Sequence, residues 1–415
     1  MEKATINYPK GKPLKTTIIL PGSKSISNRL LIIKALCDEN FEIKNLSQAK
    51  DTLRLVELLS SNELNLNAQD SGTVMRFLTA YYAVTAGTRN ITGSDRMLQR
   101  PIGPLVEGLT KLGAEIDYSS KNGYPPLRIK GKKLKGSSLM IDAGISSQFI
   151  TAMLLIAPTF TEDVFTLELA NEIVSKPYIN MTLSLMRQFG ISTDWNTNYI
   201  EVFKGNYSTS NLIENTFEVE PDWSSASFWY MAASLASEAE ITILGLKQNS
   251  LQGDKILAEI YAMFGVVTEF TSEGIVIRKT KNTLKEIALD CSDFPDLAIP
   301  LAVNTASLGL KGIFNGLKTL KIKETDRIAA LENELIKSGI VLQPNKNNSL
   351  MIYEGALKKP ADAYQSYNDH RIAMAFAVTA IKNGEVEIIN PNVVAKSYPN
   401  FYQDLIKSGF NVIFS

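Results

Sequence analysis

Six times along the chain the apolar positions follow the same course. A stretch of alternating and β-branched residues ends at a turn, a short polar loop follows, and apolar residues then recur at helical spacing. The six stretches are ENFEIKNLSQAKDTLRLVELL from Glu39, GTRNITGSDRMLQRPIGPLVEGL from Gly87, EDVFTLELANEIVSKPYINMTLSLM from Glu162, EAEITILGLKQNSLQGDKILAEIYAMF from Glu238, KGIFNGLKTLKIKETDRIAALENELIKSG from Lys311 and GEVEIINPNVVAKSYPNFYQDLIKSG from Gly384. Immediately upstream of each lies a run that is apolar nearly all round, the pattern of a buried helix. Each of these runs opens with small polar or charged residues: KSISNR (24–29), SGTVMR (71–76), SSQF (146–149), DWSSAS (222–227), DFPDLA (293–298) and NDHR (368–371). Successive units lie roughly 70 to 75 residues apart, apart from a first interval of about 48. This period is too long for the common solenoids, and each unit carries enough strand and helix to form an α/β layer of its own.

The predicted architecture is therefore α/β, with six repeats arranged three per domain. A chain of 415 residues exceeds one ordinary core, and two domains of about 200 residues follow. The turn signals place the crossings near Leu20-Pro21 and Glu220-Pro221, giving a discontinuous domain of residues 1–20 plus 221–415 and an inserted domain of residues 21–220. Two adjacent crossing strands form a hinge, which permits closure on a ligand.

Charge changes the picture by exclusion. Forty-three basic residues balance forty-three acidic ones, so no global field recruits nucleic acid or an anionic membrane. An anionic ligand has to be held by locally gathered cations. Cys37 and Cys291 have neither disulfide nor metal spacing, and His370 is the only histidine, which excludes a multi-histidine metal site. Acid and base work falls to carboxylates and lysines. The opening MEKATINYPKGKPLK has no signal-peptide core, and no apolar run reaches the ~18 residues of a membrane span; a soluble, cytoplasmic protein is expected.

Helix starts favour anions, because their backbone N–H groups are unpaired and the helix dipole is positive there. Six starts dressed alike gather Lys24, Arg29, Arg96, Arg327, Arg371 and Lys396 as cations, with Ser25, Ser146, Ser147, Gln148 and Ser175 as neutral donors. This inventory suits ligands bearing several phosphate or carboxylate groups. Among the acids, Asp296 is the candidate base, since it occupies a helix start where its counterparts in the repeat present ligand-facing groups. Glu324, beside Lys323, is the candidate acid, while Asp326 and Asp369 read equally as caps, ion-pair partners or functional groups. GSKS lacks the full spacing of a phosphate loop, and SSQF has no histidine in pattern to activate its serines.

LPGSKSISNR, SGTVMR, DRMLQRPIGPL, YPPLRI, SSQFITAML, VSKPYI, NSLQGD, FPDLA, KETDRI, YNDHRIAMAF and AKSYPNF run in order from about residue 20 to 402. Together they closely resemble the 5-enolpyruvylshikimate-3-phosphate (EPSP) synthase family. The resemblance implies a two-domain inside-out α/β barrel of six βαβαββ repeats, the first of them shortened. It implies transfer of the enolpyruvyl group of phosphoenolpyruvate to the 5-hydroxyl of shikimate 3-phosphate, on the route to chorismate, by a typically monomeric enzyme needing neither metal nor redox cofactor. On this resemblance Lys24, Ser25, Arg29, Ser146, Ser147, Gln148, Ser175, Asp296 and Lys323 would bind shikimate 3-phosphate. Lys24, Gly72, Arg96, Gln148, Arg327, Arg371 and Lys396 would bind phosphoenolpyruvate, with Asp296, Glu324 and Lys24 catalytic. Asp70, Phe77 and Thr319 depart from residues common in the family. The alternatives are the sister transferase acting on UDP-N-acetylglucosamine, against which KETDR and NDHR argue, and a non-catalytic homologue that binds phosphorylated metabolites.

Overall fold

The run SQFITAMLLI has no polar face to offer water, and residues Phe149 to Ile156 of the helix it forms, Ser147–Ile156, are all buried. In the computed structural model, which describes residues 2–345, 348–353 and 355–415, the chain divides into two compact units. Unit 1 comprises the segment ending at Ser23, Gln48–Lys50 and Glu220–Ser415, and unit 2 comprises Lys24–Ser47 and Asp51–Val219. At the centre of unit 2, helix Ser147–Ile156 packs against helices Lys24–Leu36 and Gly72–Val84, which also touch each other. Unit 1 repeats the arrangement with helices Trp223–Leu235, Ala298–Ser307 and His370–Val378, the last two buried along their whole length.

Each unit thus keeps its most apolar helices inside and surrounds them with sheets. The outer helices are amphipathic and bury only a stripe. In Lys50–Ser60 that stripe is Thr52, Leu55 and Leu58, at a three-residue spacing that keeps them on one helix face. The six expected inner-helix openings all stand at helix starts. Ser71, Ser146, Asp222 and Asp369 cap theirs by accepting backbone N–H groups with their side chains. The apolar helix Ala298–Ser307 is entered through a single 3₁₀ turn, Pro295–Leu297, where proline suits the first position because its missing N–H would be unpaired there anyway.

The sheets repeat as regularly as the helices. Unit 2 contains Asn65–Asn67, Gly87–Thr92, Leu127–Gly131 and Glu115–Tyr118 in that hydrogen-bonded order, and likewise Ser138–Asp142, Val164–Ala170, Tyr199–Phe203 and Thr193–Asn196. In both, the first pair is parallel and the other two antiparallel. The buried helix forms the crossover that a parallel pair requires, whereas the final hairpin can only be antiparallel. Unit 1 has two sheets of the same pattern. One runs Leu14–Ile19, Ala239–Leu244, Gly274–Lys279 and Val266–Phe270; the other runs Glu286–Asp290, Lys311–Asn315, Ser349–Ile352 and Leu342–Asn345.

Two sheets depart from this scheme. In the last unit the strand Lys3–Asn7 takes the position between Glu385–Ile389 and Asn411–Phe414, antiparallel to both. The first repeat keeps only the parallel pair Glu42–Lys44 and Thr216–Glu218. Its short interval leaves no residues for the terminal hairpin, which is the shortened first repeat expected from the sequence.

Within unit 1 the segments around residues 22 and 221 are hydrogen-bonded to each other. Ser23 N donates to Glu220 O at 2.8 Å and Asp222 N to Pro21 O at 2.9 Å. Gln252 secures the second segment, donating to Pro221 O at 2.8 Å and accepting from Trp223 N at 2.9 Å. Among the described residues, no helix is long and apolar enough to cross a membrane.

Candidate active site

In unit 1 the charged residues of DFPDLA, KETDR and NDHR converge on one carboxylate. Asp296 sits on the 3₁₀ turn Pro295–Leu297. Its Oδ1 accepts from Arg327 Nη1 at 3.1 Å and lies 3.5 Å from Lys323 Nζ, while its Oδ2 accepts from Arg371 Nη2 at 3.0 Å. Arg371 Nη1 also donates to the Asp296 carbonyl at 3.0 Å, so the carboxylate and its own backbone are gripped together.

Arg327 ties this cluster to the rest of the unit. Its side chain is 1% exposed, and it donates through Nε to Asp369 Oδ2 at 2.7 Å and through Nη2 to Glu324 Oε2 at 3.1 Å. Burial opposes its charge, but Asp369, Glu324 and Asp296 together outweigh that effect and hold its pKa above the ordinary arginine value. Asp369, itself fully buried, uses Oδ1 to cap helix His370–Val378 through Arg371 N at 2.9 Å. Lys396 is joined through a carbonyl, its Nζ donating to Asn368 O at 2.9 Å. Asp254, from the NSLQGD stretch, is buried and accepts from Ser224 Oγ. Its pKa is pushed up to about 6 by burial, against the opposing effects of the Ser224 hydrogen bond and the Arg371 charge.

In unit 2 the expected residues gather at the starts of the three inner helices. Lys24 opens the first, with Nζ 3.1 Å from Asp51 Oδ2 and both side chains less than one-fifth exposed. Ser25 follows it. Gln148, next to the cap Ser146 and to Ser147, donates through Nε2 to Thr73 Oγ1 at 3.3 Å and thereby links the second and third helix starts. Ser175 immediately precedes helix Lys176–Gln188 with φ of 58°, a left-handed conformation that costs energy in a side-chain-bearing residue.

Arg29 lies one turn inside its helix and is buried. Nε donates to Thr182 Oγ1 at 2.8 Å, Nη1 to Ser25 O at 2.8 Å, and Nη2 to Tyr178 O at 3.2 Å and Thr151 Oγ1 at 3.3 Å. Among the described residues these acceptors are all neutral oxygens, and burial lowers its pKa to about 10. Arg96 is half-buried, immediately before the turn Met97–Gln99.

Two guanidinium groups outside the expected site residues stand close to Gly72. A Cβ placed there would lie 2.5 Å from Arg76 Nη1 and 2.7 Å from Arg100 Nη2, so the backbone at this helix start is open to cations only because the residue is glycine. Arg100 Nη1 donates to Asp70 O at 3.3 Å, and Arg76 lies over the Phe149 ring at 5.5 Å. Both arginines stand in the motifs SGTVMR and QRPIG. Arg76 reaches Gly72 from one turn further along the same helix, whereas the approach of Arg100 is a tertiary contact without a local sequence signal.

The departures from family residues also find physical roles. Phe77 is buried with its ring 5.9 Å from the Arg29 guanidinium, a cation–π distance. The Asp70 carboxylate accepts from Ser94 Oγ, bracing the turn before Gly72. Thr319 is buried, with a hydroxyl that has no hydrogen-bond partner among the described residues.

Two units, each of three buried helices enclosed by mixed sheets and carrying charged residues at the helix starts, define the enolpyruvyl-transferase fold class. The fold matches solved structures of EPSP synthase from Acinetobacter baumannii with TM-scores of 0.79 and 0.78, at 22% and 21% identity and over 100% of both chains. The family model described as EPSP synthase (3-phosphoshikimate 1-carboxyvinyltransferase) matches residues 8–61 and 58–405. A 3-phosphoshikimate 1-carboxyvinyltransferase of Bacteroides fragilis is 44% identical over 402 residues, covering 96% of each chain. One from Colwellia psychrerythraea is 35% identical over 435 residues, covering 98% of this chain and 99% of its own. The chain belongs to the EPSP synthase family.

The buried Asp254 carries a pH signature. Its folded pKa of about 6 lies above the unfolded value of 3.8, so the stability it contributes is full below pH 3.8 and is lost as pH rises through about 6. In denaturation experiments, Asp254→Asn is therefore expected to gain stability relative to the parent as pH is raised from 4.5 to 7.5. A difference that stays flat across that range contradicts the assignment.

Proposed function

We propose that this chain transfers the enolpyruvyl group of phosphoenolpyruvate to the 5-hydroxyl of shikimate 3-phosphate, releasing phosphate in the route to chorismate. Family membership supports the reaction class. The observation that carries the residue-level reading is the cluster in unit 1, where Asp296 meets Lys323, Arg327 and Arg371 within 3.5 Å. The reading keeps the chain a cytoplasmic monomer of two hinged domains, as the resemblance implies.

In this reading Lys24, Ser25, Arg29, Ser146, Ser147, Gln148, Ser175 and Lys323 hold shikimate 3-phosphate. Lys24, Gly72, Arg96, Gln148, Arg327, Arg371 and Lys396 hold phosphoenolpyruvate, and Arg100 joins them because of its approach to Gly72. Cations fixed before reaction stabilise charge on the substrates without reorganising during it. Asp296 takes the proton of the 5-hydroxyl as the oxygen bonds to the central carbon of phosphoenolpyruvate. Glu324 delivers a proton to the methylene carbon, which becomes a methyl group. The resulting tetrahedral intermediate then loses phosphate by cleavage of its carbon–oxygen bond, and one methyl proton leaves to restore the double bond. Lys24 acts on both ligands, supplying charge at the phosphate that departs.

Phosphate release is expected when phosphoenolpyruvate is mixed with shikimate 3-phosphate, and not when it is mixed with UDP-N-acetylglucosamine. Release only with the sugar nucleotide, or with neither acceptor, overturns the proposal. Asp296→Asn lacks the base and offers one acceptor oxygen, to Arg371 or to Arg327 but not to both. It is expected to lower kcat by about 10²–10⁴-fold, and near-normal turnover would remove Asp296 from that role.

A further inference from the structure

Glu334 lies in the second half of helix Arg327–Ile336, on the same helix as Arg327 but remote from the cluster around Asp296, and its side chain is fully buried. A carboxylate taken out of water needs donors to replace hydration, and this one has three. Oε1 accepts from Tyr367 Oη at 2.6 Å, and Oε2 accepts from Lys337 Nζ at 2.6 Å and from the Gln365 backbone N–H at 2.9 Å. Lys337 Nζ continues to the Ala363 carbonyl at 2.9 Å. The bonds to Ala363, Gln365 and Tyr367 bind the end of this helix to the segment 363–367, which runs directly into NDHR.

That segment is not a relaxed one. Tyr367 and Asn368 both have left-handed backbones, with φ of 52° and 54°, and neither is glycine. Two such residues in succession persist only where the surroundings hold them. On one side a pocket of about 340 Å³ is lined by Glu2, Ser366, Tyr367, Asn368 and Asn390 among others, and there Asn390 Nδ2 donates to Asn368 Oδ1. On the other side Glu334 holds the Tyr367 hydroxyl. The Tyr367 hydroxyl is pushed up to about 12 by burial and by its hydrogen bond to Glu334, which keeps it a donor across the working pH range.

The turn delivers three groups. Asn368 O receives Lys396 Nζ, Asp369 meets Arg327 and caps the next helix, and Arg371 follows two residues later. Helix Arg327–Ile336 thus grips the strand-to-helix connection at two places, through Arg327 to Asp369 and through Glu334 to Tyr367 and Gln365.

We propose that Glu334 is a positioning residue for phosphoenolpyruvate, setting the Tyr367-Asn368 turn so that Lys396 and Arg371 stand at the spacing its anionic groups require. This inference rests on the proposed assignment of Lys396 and Arg371 to phosphoenolpyruvate. Glu334→Gln replaces one acceptor oxygen by a donor, so whichever way the amide turns, either Tyr367 or the Lys337–Gln365 pair loses its acceptor. Tyr367→Phe removes the same contact without placing a new group in the buried site.

Steady-state kinetics on both variants tests the role, with thermal unfolding recorded to show that each is folded at the assay temperature. The expected result is a KM for phosphoenolpyruvate raised about tenfold or more in Glu334→Gln, a smaller rise in Tyr367→Phe, and a KM for shikimate 3-phosphate within about twofold of the parent. Equal shifts for both substrates, or a loss of folded protein with both KM values unmoved, overturns the positioning role. Should Glu334→Gln fail to fold, the Tyr367→Phe result alone decides. Arg371→Gln run in parallel separates the two levels: an unchanged KM for phosphoenolpyruvate in that variant rejects the substrate assignment itself.

Discussion

A guanidinium removed from water needs acceptors to replace its hydration, and around Arg327 those acceptors are carboxylates. Asp369 and Glu324 reach it from two directions and Asp296 from a third. Removing one partner of such a buried pair typically costs 3–5 kcal/mol, because an uncompensated charge is left behind. The constraint also orders the site. The oxygens that neutralise Arg327 cap the helix of Arg371 and place the Asp296 carboxylate beside Lys323, so stability and chemistry share the same atoms. In unit 2 the buried Arg29 meets hydroxyl and carbonyl oxygens instead, and burial lowers its pKa to about 10.

The fold was legible to the extent that its signal is local. Apolar runs without a polar face mark inner helices, and small or charged residues mark their starts, which is why all six openings could be read from the chain. The short first interval likewise predicted a trimmed first repeat, found as a lone parallel strand pair. What could not be read depends on distant partners. KATIN alternates in burial as a strand does, yet nothing in it says that it pairs with Glu385–Ile389 and Asn411–Phe414. Its place between those two strands is set by the tertiary fold.

The candidate site divides along the same line. Helix-start residues such as Lys24, Gln148 and Asp296 carry a local signal and were singled out. Arg76 and Arg100 gain their interest from a single glycine that lets them approach a helix start, and Glu334 from a tyrosine 33 residues away. Asp369 shows why the sequence alone left its alternatives open. The residue does both: Oδ1 caps the helix and also accepts from Arg327, and Oδ2 accepts from Arg327 as well.

The central claim is that these residues carry out addition followed by elimination, with the methylene carbon passing through a methyl group. The most direct measurement is turnover of phosphoenolpyruvate and shikimate 3-phosphate in deuterium oxide, with proton NMR of the enolpyruvyl methylene in the product. Deuterium in that methylene, appearing only when both substrates are present, is the predicted result. A product whose methylene carries no solvent deuterium would contradict the account, because no protonation at that carbon would then have taken place.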